Sequence, residues 1–203
     1  GGRFRIRPAS PFEVSRRYVD FTNVLETTFR TDTGELRLTD LMSVADEAAM
    51  RGELLPDHEI LRRAECVRGE VNVEVLYDPR PEYARRAARI HRSPIGWLCQ
   101  HDRHAVVLMS DVPLERVEPR GPSESVAPRG SRGPHRRRRQ EARALGARVR
   151  LRAGDVRFFS LSTSDQEPAI APPLGEHAEL RLDRSLRWWE NWAARCAYDG
   201  PYR

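Results

Sequence analysis

The chain has 203 residues, 39% of them hydrophobic and 32% charged, with a formal net charge of +5. That suffices for one ordinary domain with a buried core and a well-hydrated surface. No run of about 18 apolar residues occurs, which excludes a membrane-spanning helix, and the opening residues lack the basic, apolar and small-residue succession of a secretory signal.

The charge is unevenly distributed. All 35 basic residues are arginine, without a single lysine. Phosphate binding alone would not exclude lysine, whereas a GC-rich coding sequence would favour arginine codons. Between Arg120 and Arg152 stand 11 arginines against Glu124 and Glu141, a net of +9 against +5 for the whole chain, so the remainder carries −4. A mildly acidic remainder argues against a basic binding face on the folded part. Cys66, Cys99 and Cys196 are odd in number and form no CxxC, as expected of reduced, buried thiols in a cytoplasmic protein.

The chain opens on GGRFRIRP, a strand pattern with Phe4 and Ile6 on one face, as if it began inside a fold. NVLETTFRT and ELRLTDLMSV flank Asp32-Thr33-Gly34 and read as a hairpin, with Leu36, Leu38 and Asp40 sharing a face. HEILRRAECVRG and VNVEVLYDP read as a second hairpin turning at Gly69-Glu70. GWLCQHDRHAVVLMSD gives a third, turning near His101 to Arg103. DVRFFSLSTS, from Asp155 to Ser164, is a further strand after RAGD. From Leu182 the period changes. Leu182, Leu186, Trp189, Ala193 and Cys196 are spaced as on an amphipathic helix, stopped by Tyr198-Asp199-Gly200-Pro201.

The expected fold is therefore mainly β: an incomplete antiparallel β-sandwich closed by one C-terminal amphipathic helix. Residues 1–118 and 151–178 supply its two parts, 179–197 the helix, and 198–203 a linker. Residues 119–150 read as a flexible loop, because 25 of these 32 residues are Arg, Gly, Pro, Ala or Ser. Out-of-frame translation of GC-rich DNA yields the same composition.

Candidate chemistry is sparse. The tetra-arginine run at 136–139 suggests nucleic-acid binding or a nuclear signal, but no aromatic residue lies between Pro119 and Arg150 to stack on bases. Specific nucleic-acid binding is not expected, and a solvated loop explains the run. Cys99, His101, Asp102 and His104 are metal-ligand types, yet they fall on a hairpin turn without an evident fourth ligand. A polar turn beside a buried cysteine explains them. The carboxylates fit no recognised acid–base pair, and no GxSxG, phosphate-binding glycine loop or Cys-His arrangement is present. No catalytic, cofactor-binding or metal-ligating residue is assigned. Trp188, Trp189 and Trp192 make the helix aromatic on more than one face. Either all three close the sandwich core, or one face packs on a second domain.

TNVLETTFRTDTGELRLTDLM (from Thr22), VLMSDVPLE (from Val107), LRAGDVRFFSLS (from Leu151) and LRWWENWAARCAYDGPYR (from Leu186) resemble the N-terminal domain of bacterial glycoside hydrolase family 15, the glucoamylase- and trehalase-like proteins. The resemblance covers nearly the whole chain in order, except Pro119 to about Arg150, where the family has a shorter segment. It implies an N-terminal β-sandwich followed by an α/α-barrel that hydrolyses α-glucosides with inversion. Inversion uses two carboxyl groups far enough apart to admit a water. The resemblance places both glutamates in the barrel, so neither falls on this sequence. It also implies that this is an internal fragment whose Trp188, Trp192 and Tyr198 contact the missing catalytic domain, with the α-glucoside bound only through the parent protein. Cut free, such a surface is expected to self-associate. The alternative is a stand-alone β-sandwich module that binds glycan through Trp97, or nucleic acid non-specifically through the arginine-rich loop.

Overall fold

The computed structural model describes residues 2–45, 58–85, 88–101, 104–118, 144–163 and 171–195. The strands are β1 (Arg3–Pro8), β2 (Glu13–Tyr18), β3 (Leu25–Arg30), β4 (Gly34–Met42), β5 (His58–Asp78), β6 (Arg89–Ser93), β7 (Gly96–His101), β8 (His104–Ser110), β9 (Glu115–Val117), β10 (Ala144–Arg152) and β11 (Val156–Thr163). A single-turn 3-10 helix lies at Pro81–Ala84, and α1 spans Glu176–Ala193. Among the described residues the fold is mainly antiparallel β with one long helix, as the alternating sequence patterns predict, and the sheet does not close on itself. Among the described residues no helix is long and apolar enough to cross a membrane.

Strand β5 organises the molecule. Its first half pairs with β4 on one side and β11 on the other, within a large sheet ordered β2-β3-β4-β5-β11-β8-β7-β6. Its second half pairs with β1 and β10, and β10 also pairs with β9, forming a smaller sheet. The two sheets face each other across a core that includes Ile6, Leu36, Leu38, Cys66, Val73 and Phe159. The opposite face of the large sheet is apolar at Val24, Leu41, Leu61 and Phe158, and there Ala178 and Leu182 of α1 pack. The order of layers is small sheet, large sheet, helix.

Three sequence expectations are corrected here. The second expected hairpin is one continuous strand of 21 residues, β5. Gly69 bends it by taking φ +67° instead of reversing it, and partners on both sides hold the bend. Glu70 N donates to Thr33 O at 2.9 Å, and Ala153 N to Gly69 O at 2.9 Å. The expected loop at 119–150 is ordered strand from Ala144 onward. Leu145 and Leu151 are fully buried, and their apolar alternation with Arg148 and Arg150 places β10 in the small sheet. The rest of that stretch, including the tetra-arginine run, lies outside the described residues. The helix spans Glu176–Ala193 instead of 179–197, with Ala194 as its C-cap. Cys196 and the linker 198–203 lie outside the described residues. The hairpins β3–β4 and β7–β8 form as read, the latter with His101 opposite His104.

Candidate functional site

Helix α1 divides into a buried half and an exposed half. Gly175 precedes it at φ +66°, and Glu176 and Glu179 stand in the first turn, where carboxylates favour the positive end of the helix dipole. The buried face is Ala178, Arg181, Leu182 and Ser185. Two of these are polar, and both are satisfied. Arg181 forms a bidentate pair with Glu59 on β5, Nε to Oε2 at 2.9 Å and Nη2 to Oε1 at 3.1 Å. Its remaining Nη1 donates to Pro173 O at 2.9 Å. Ser43 and Ser160 each donate to Glu59 at 2.6 Å. Ser185 donates back to Arg181 O at 2.8 Å and accepts Val44 N at 3.0 Å. Glu59 and Arg181 are 2% and 7% exposed. A buried ion pair survives only with such complete coordination, so this network fixes where the helix sits. This network is not legible in the sequence, because Arg181 and Glu59 stand 122 residues apart and look like surface charges.

The second half of α1 carries the aromatic residues. Trp189 packs edge-on against Trp188 (4.9 Å between ring centroids) and Trp192 (5.7 Å). With Tyr18 at the end of β2 and residues 19–23 of the loop leading to β3, the three rings line a cleft of about 650 Å³. Trp192 is 55% exposed, Tyr18 64% and Phe21 68%. The loop is well fixed. Val19 N donates to Val24 O at 2.9 Å, and the Thr22 hydroxyl bridges Val19 O (2.8 Å) and Val24 N (3.1 Å). Phe21 at its tip is held at φ +61°, a conformation that disfavours side chains by about 1–2 kcal/mol. Phe21 thus joins a strained backbone to an exposed aromatic ring at the rim of the cleft.

Of the sequence-predicted contact residues, Trp188 and Trp192 meet in this cleft, and Tyr198 lies outside the described residues. Tyr18 and Phe21, which the sequence does not single out, line the same cleft. Their only sequence signal is two aromatic residues beside Asp20 and Asn23 in a short polar turn.

The other candidates come apart. Cys99 is buried against Tyr77, and burial raises its thiol pKa while the Tyr77 hydrogen bond partly opposes the rise. Asp102 lies outside the described residues, and among those described no group of three His, Cys, Asp or Glu could hold a metal ion. Burial likewise pushes Cys66 up. A thiol held above its usual range is protonated at pH 8, and thiolate is the reactive form. In a Cys196→Ser chain, a disulfide reagent at pH 8 is therefore expected to label neither remaining cysteine until denaturant is added. Prompt labelling of one equivalent would show an open thiol. Trp97 has the guanidinium groups of Arg92 and Arg116 over its ring at 5.4 and 6.0 Å, and its indole N–H is buried without an acceptor. That ring is occupied by the protein's own cations.

No family model matches the chain. Over 123 residues it is 31% identical to Trehalase 1 of Sulfolobus acidocaldarius, a match covering 59% of this chain and 19% of the trehalase. The chain thus corresponds to only a small part of that relative's length. A solved structure of a candidate kojibiose phosphorylase from human microbiome aligns over 96% of this chain and 25% of its own, at 8% identity and a TM-score of 0.40. At that score the likeness adds nothing to the fold, which rests on the strand pairing described above.

Proposed function

We propose that this chain is the non-catalytic N-terminal β-sandwich domain of a cytoplasmic glycoside hydrolase of the family 15 type. In this reading it packs against and supports an α/α-barrel domain that hydrolyses α-glucosides. The barrel carries the catalytic carboxylates, and the chain itself holds no cofactor. The similarity to a trehalase supports the carbohydrate setting. The observation that carries the docking role is the division of α1. One half is locked to the large sheet through Arg181 and Glu59, and the other holds Trp188 and Trp192 at an open cleft. Trp188, Trp192 and Tyr198 are the proposed contact residues, joined by Tyr18 and Phe21. A stand-alone glycan module reading through Trp97 loses ground, because Arg92 and Arg116 already cover that ring.

The test compares the 203-residue chain with a protein extended beyond Arg203. The chain alone is expected to self-associate in sedimentation velocity, and Trp188→Ser/Trp192→Ser is expected to disperse it. In the extended protein, the indole fluorescence lost with Trp192→Phe should be shielded from acrylamide. A short chain that stays monomeric, with Trp192 equally quenched in both proteins, would sink the proposal.

A further inference from the structure

The arginines of RFRIRP and ARVRLR form a pattern that the docking role of α1 leaves unused. β1 and β10 flank the second half of β5, and antiparallel register places paired residues on one face. Arg3, Arg5 and Arg7 stand opposite Asp78, Leu76 and Glu74. Arg148, Arg150 and Arg152 stand opposite Glu74, Asn72 and Glu70. Val73, Val75 and Ile6 point the other way, into the core. The outer face of the small sheet is thus a strip of β5 with a row of three arginines on either side. Alternate residues along a strand put neighbouring guanidinium groups about 7 Å apart within a row.

Six arginines here face three carboxylates, and each carboxylate is already shared. Glu74 lies between Arg7 (3.7 Å) and Arg148 (2.6 Å). Glu70 pairs with Arg150 and Arg152. Asp78 pairs with Arg80 (2.8 Å) and Arg3 (3.6 Å). Arg5 has no ion-pair partner among the described residues. The Nε atoms of Arg5 and Arg7 are both buried without an acceptor. Burial, and then the neighbouring Arg7 and Arg3, press the Arg5 guanidinium toward losing its proton. A half-buried guanidinium without a carboxylate of its own favours an incoming oxyanion at its outer nitrogens.

We propose that this outer face of the small sheet docks an acidic protein segment, whose carboxylates are received by Arg5 and Arg7. One observation favours a polypeptide over a nucleic acid. None of the outward residues of β1, β5 and β10 named above is aromatic, so bases have nothing to stack on.

The experiment uses the 203-residue chain with Arg136–Arg139 changed to Gln, so that the tetra-arginine run does not contribute. The probes are fluorescein-labelled octaglutamate and an oligothymidylate of equal charge, followed by anisotropy at low salt. Octaglutamate is expected to bind the more tightly. Arg5→Gln should weaken it about fivefold, the size of one lost charge contact, and Arg5→Lys should lose less. Circular dichroism confirms folding, and Arg7→Gln serves if Arg5→Gln does not fold. Octaglutamate affinity unchanged in both Gln variants would overturn the proposal. So would tighter binding of the oligothymidylate with the same dependence on Arg5, which would make nucleic acid the partner.

Discussion

Arg181→Met is expected to lower the stability of the 203-residue chain by about 3–5 kcal/mol, the usual cost of removing one member of a buried ion pair. The substitution preserves much of the aliphatic volume but leaves Glu59 charged, 2% exposed, and coordinated only by Ser43 and Ser160. Two hydroxyl donors cannot replace a bidentate guanidinium. Pro173 O also loses its donor. The double variant Arg181→Met/Glu59→Met should lose markedly less than the sum of the single changes, because no buried charge remains. Urea denaturation of the four proteins forms the cycle. Additive losses would show that the pair does not act as a unit. The location of the damage matters as well. Ser185 accepts Val44 N and donates to Arg181 O, so loosening Arg181 frees the end of β4 and the helix together. Trp192 fluorescence should then report a change in the cleft before the sheets unfold.

What the sequence revealed followed burial on one face at a time. β3 with β4, and β7 with β8, were legible because each strand carries an apolar alternation or, in β8, an apolar run, and a short polar turn joins the pair. β2 was not, because all six of its residues are exposed and leave no alternation to read. β10 was obscured by composition. Its arginines match those of the preceding stretch, and only the spacing of Leu145, Val149 and Leu151 distinguishes it. The helix is legible from its apolar period, because Leu182 and Leu186 pack with Ala178 on the sheet while Trp189 and Ala193 continue the stripe to the cleft. The rest of the buried face, Arg181 and Ser185, is polar and leaves no apolar signal. Trp188 and Trp192 were legible as part of an aromatic cluster on more than one helix face, because three tryptophans exceed what one helix stripe can bury, and both line the cleft. The loop opposite them was not, since its conformation depends on Thr22 bonding to Val19 and Val24.

Gly69→Ala is the second substitution expected to do severe damage, and it explains why a strand was mistaken for a hairpin. Gly next to a charged residue between two alternating runs is an ordinary turn signal. Here the left-handed φ of Gly69 turns β5 from one sheet into the other without reversing it. The bend is packed on both sides by backbone. A Cβ on Gly69 would lie 2.1 Å from Thr33 O, and a Cβ on Gly34 would lie 2.5 Å from Arg68 O. The β3–β4 turn therefore touches the bend with no room for any side chain. To admit alanine it must withdraw, breaking the bond from Glu70 N to Thr33 O and opening the core at Leu36, Cys66 and Val71. Gly154 isolates the conformational part of the cost. It also has positive φ, at +91°, yet a Cβ there would meet nothing within 4 Å. Gly154→Ala should cost about 1–2 kcal/mol for the left-handed backbone alone. Gly69→Ala should cost about 3 kcal/mol or more, because the clash adds to the same strain. Equal losses for the two variants in urea denaturation would mean that the turn yields freely. The two sheets would then not be coupled through this bend.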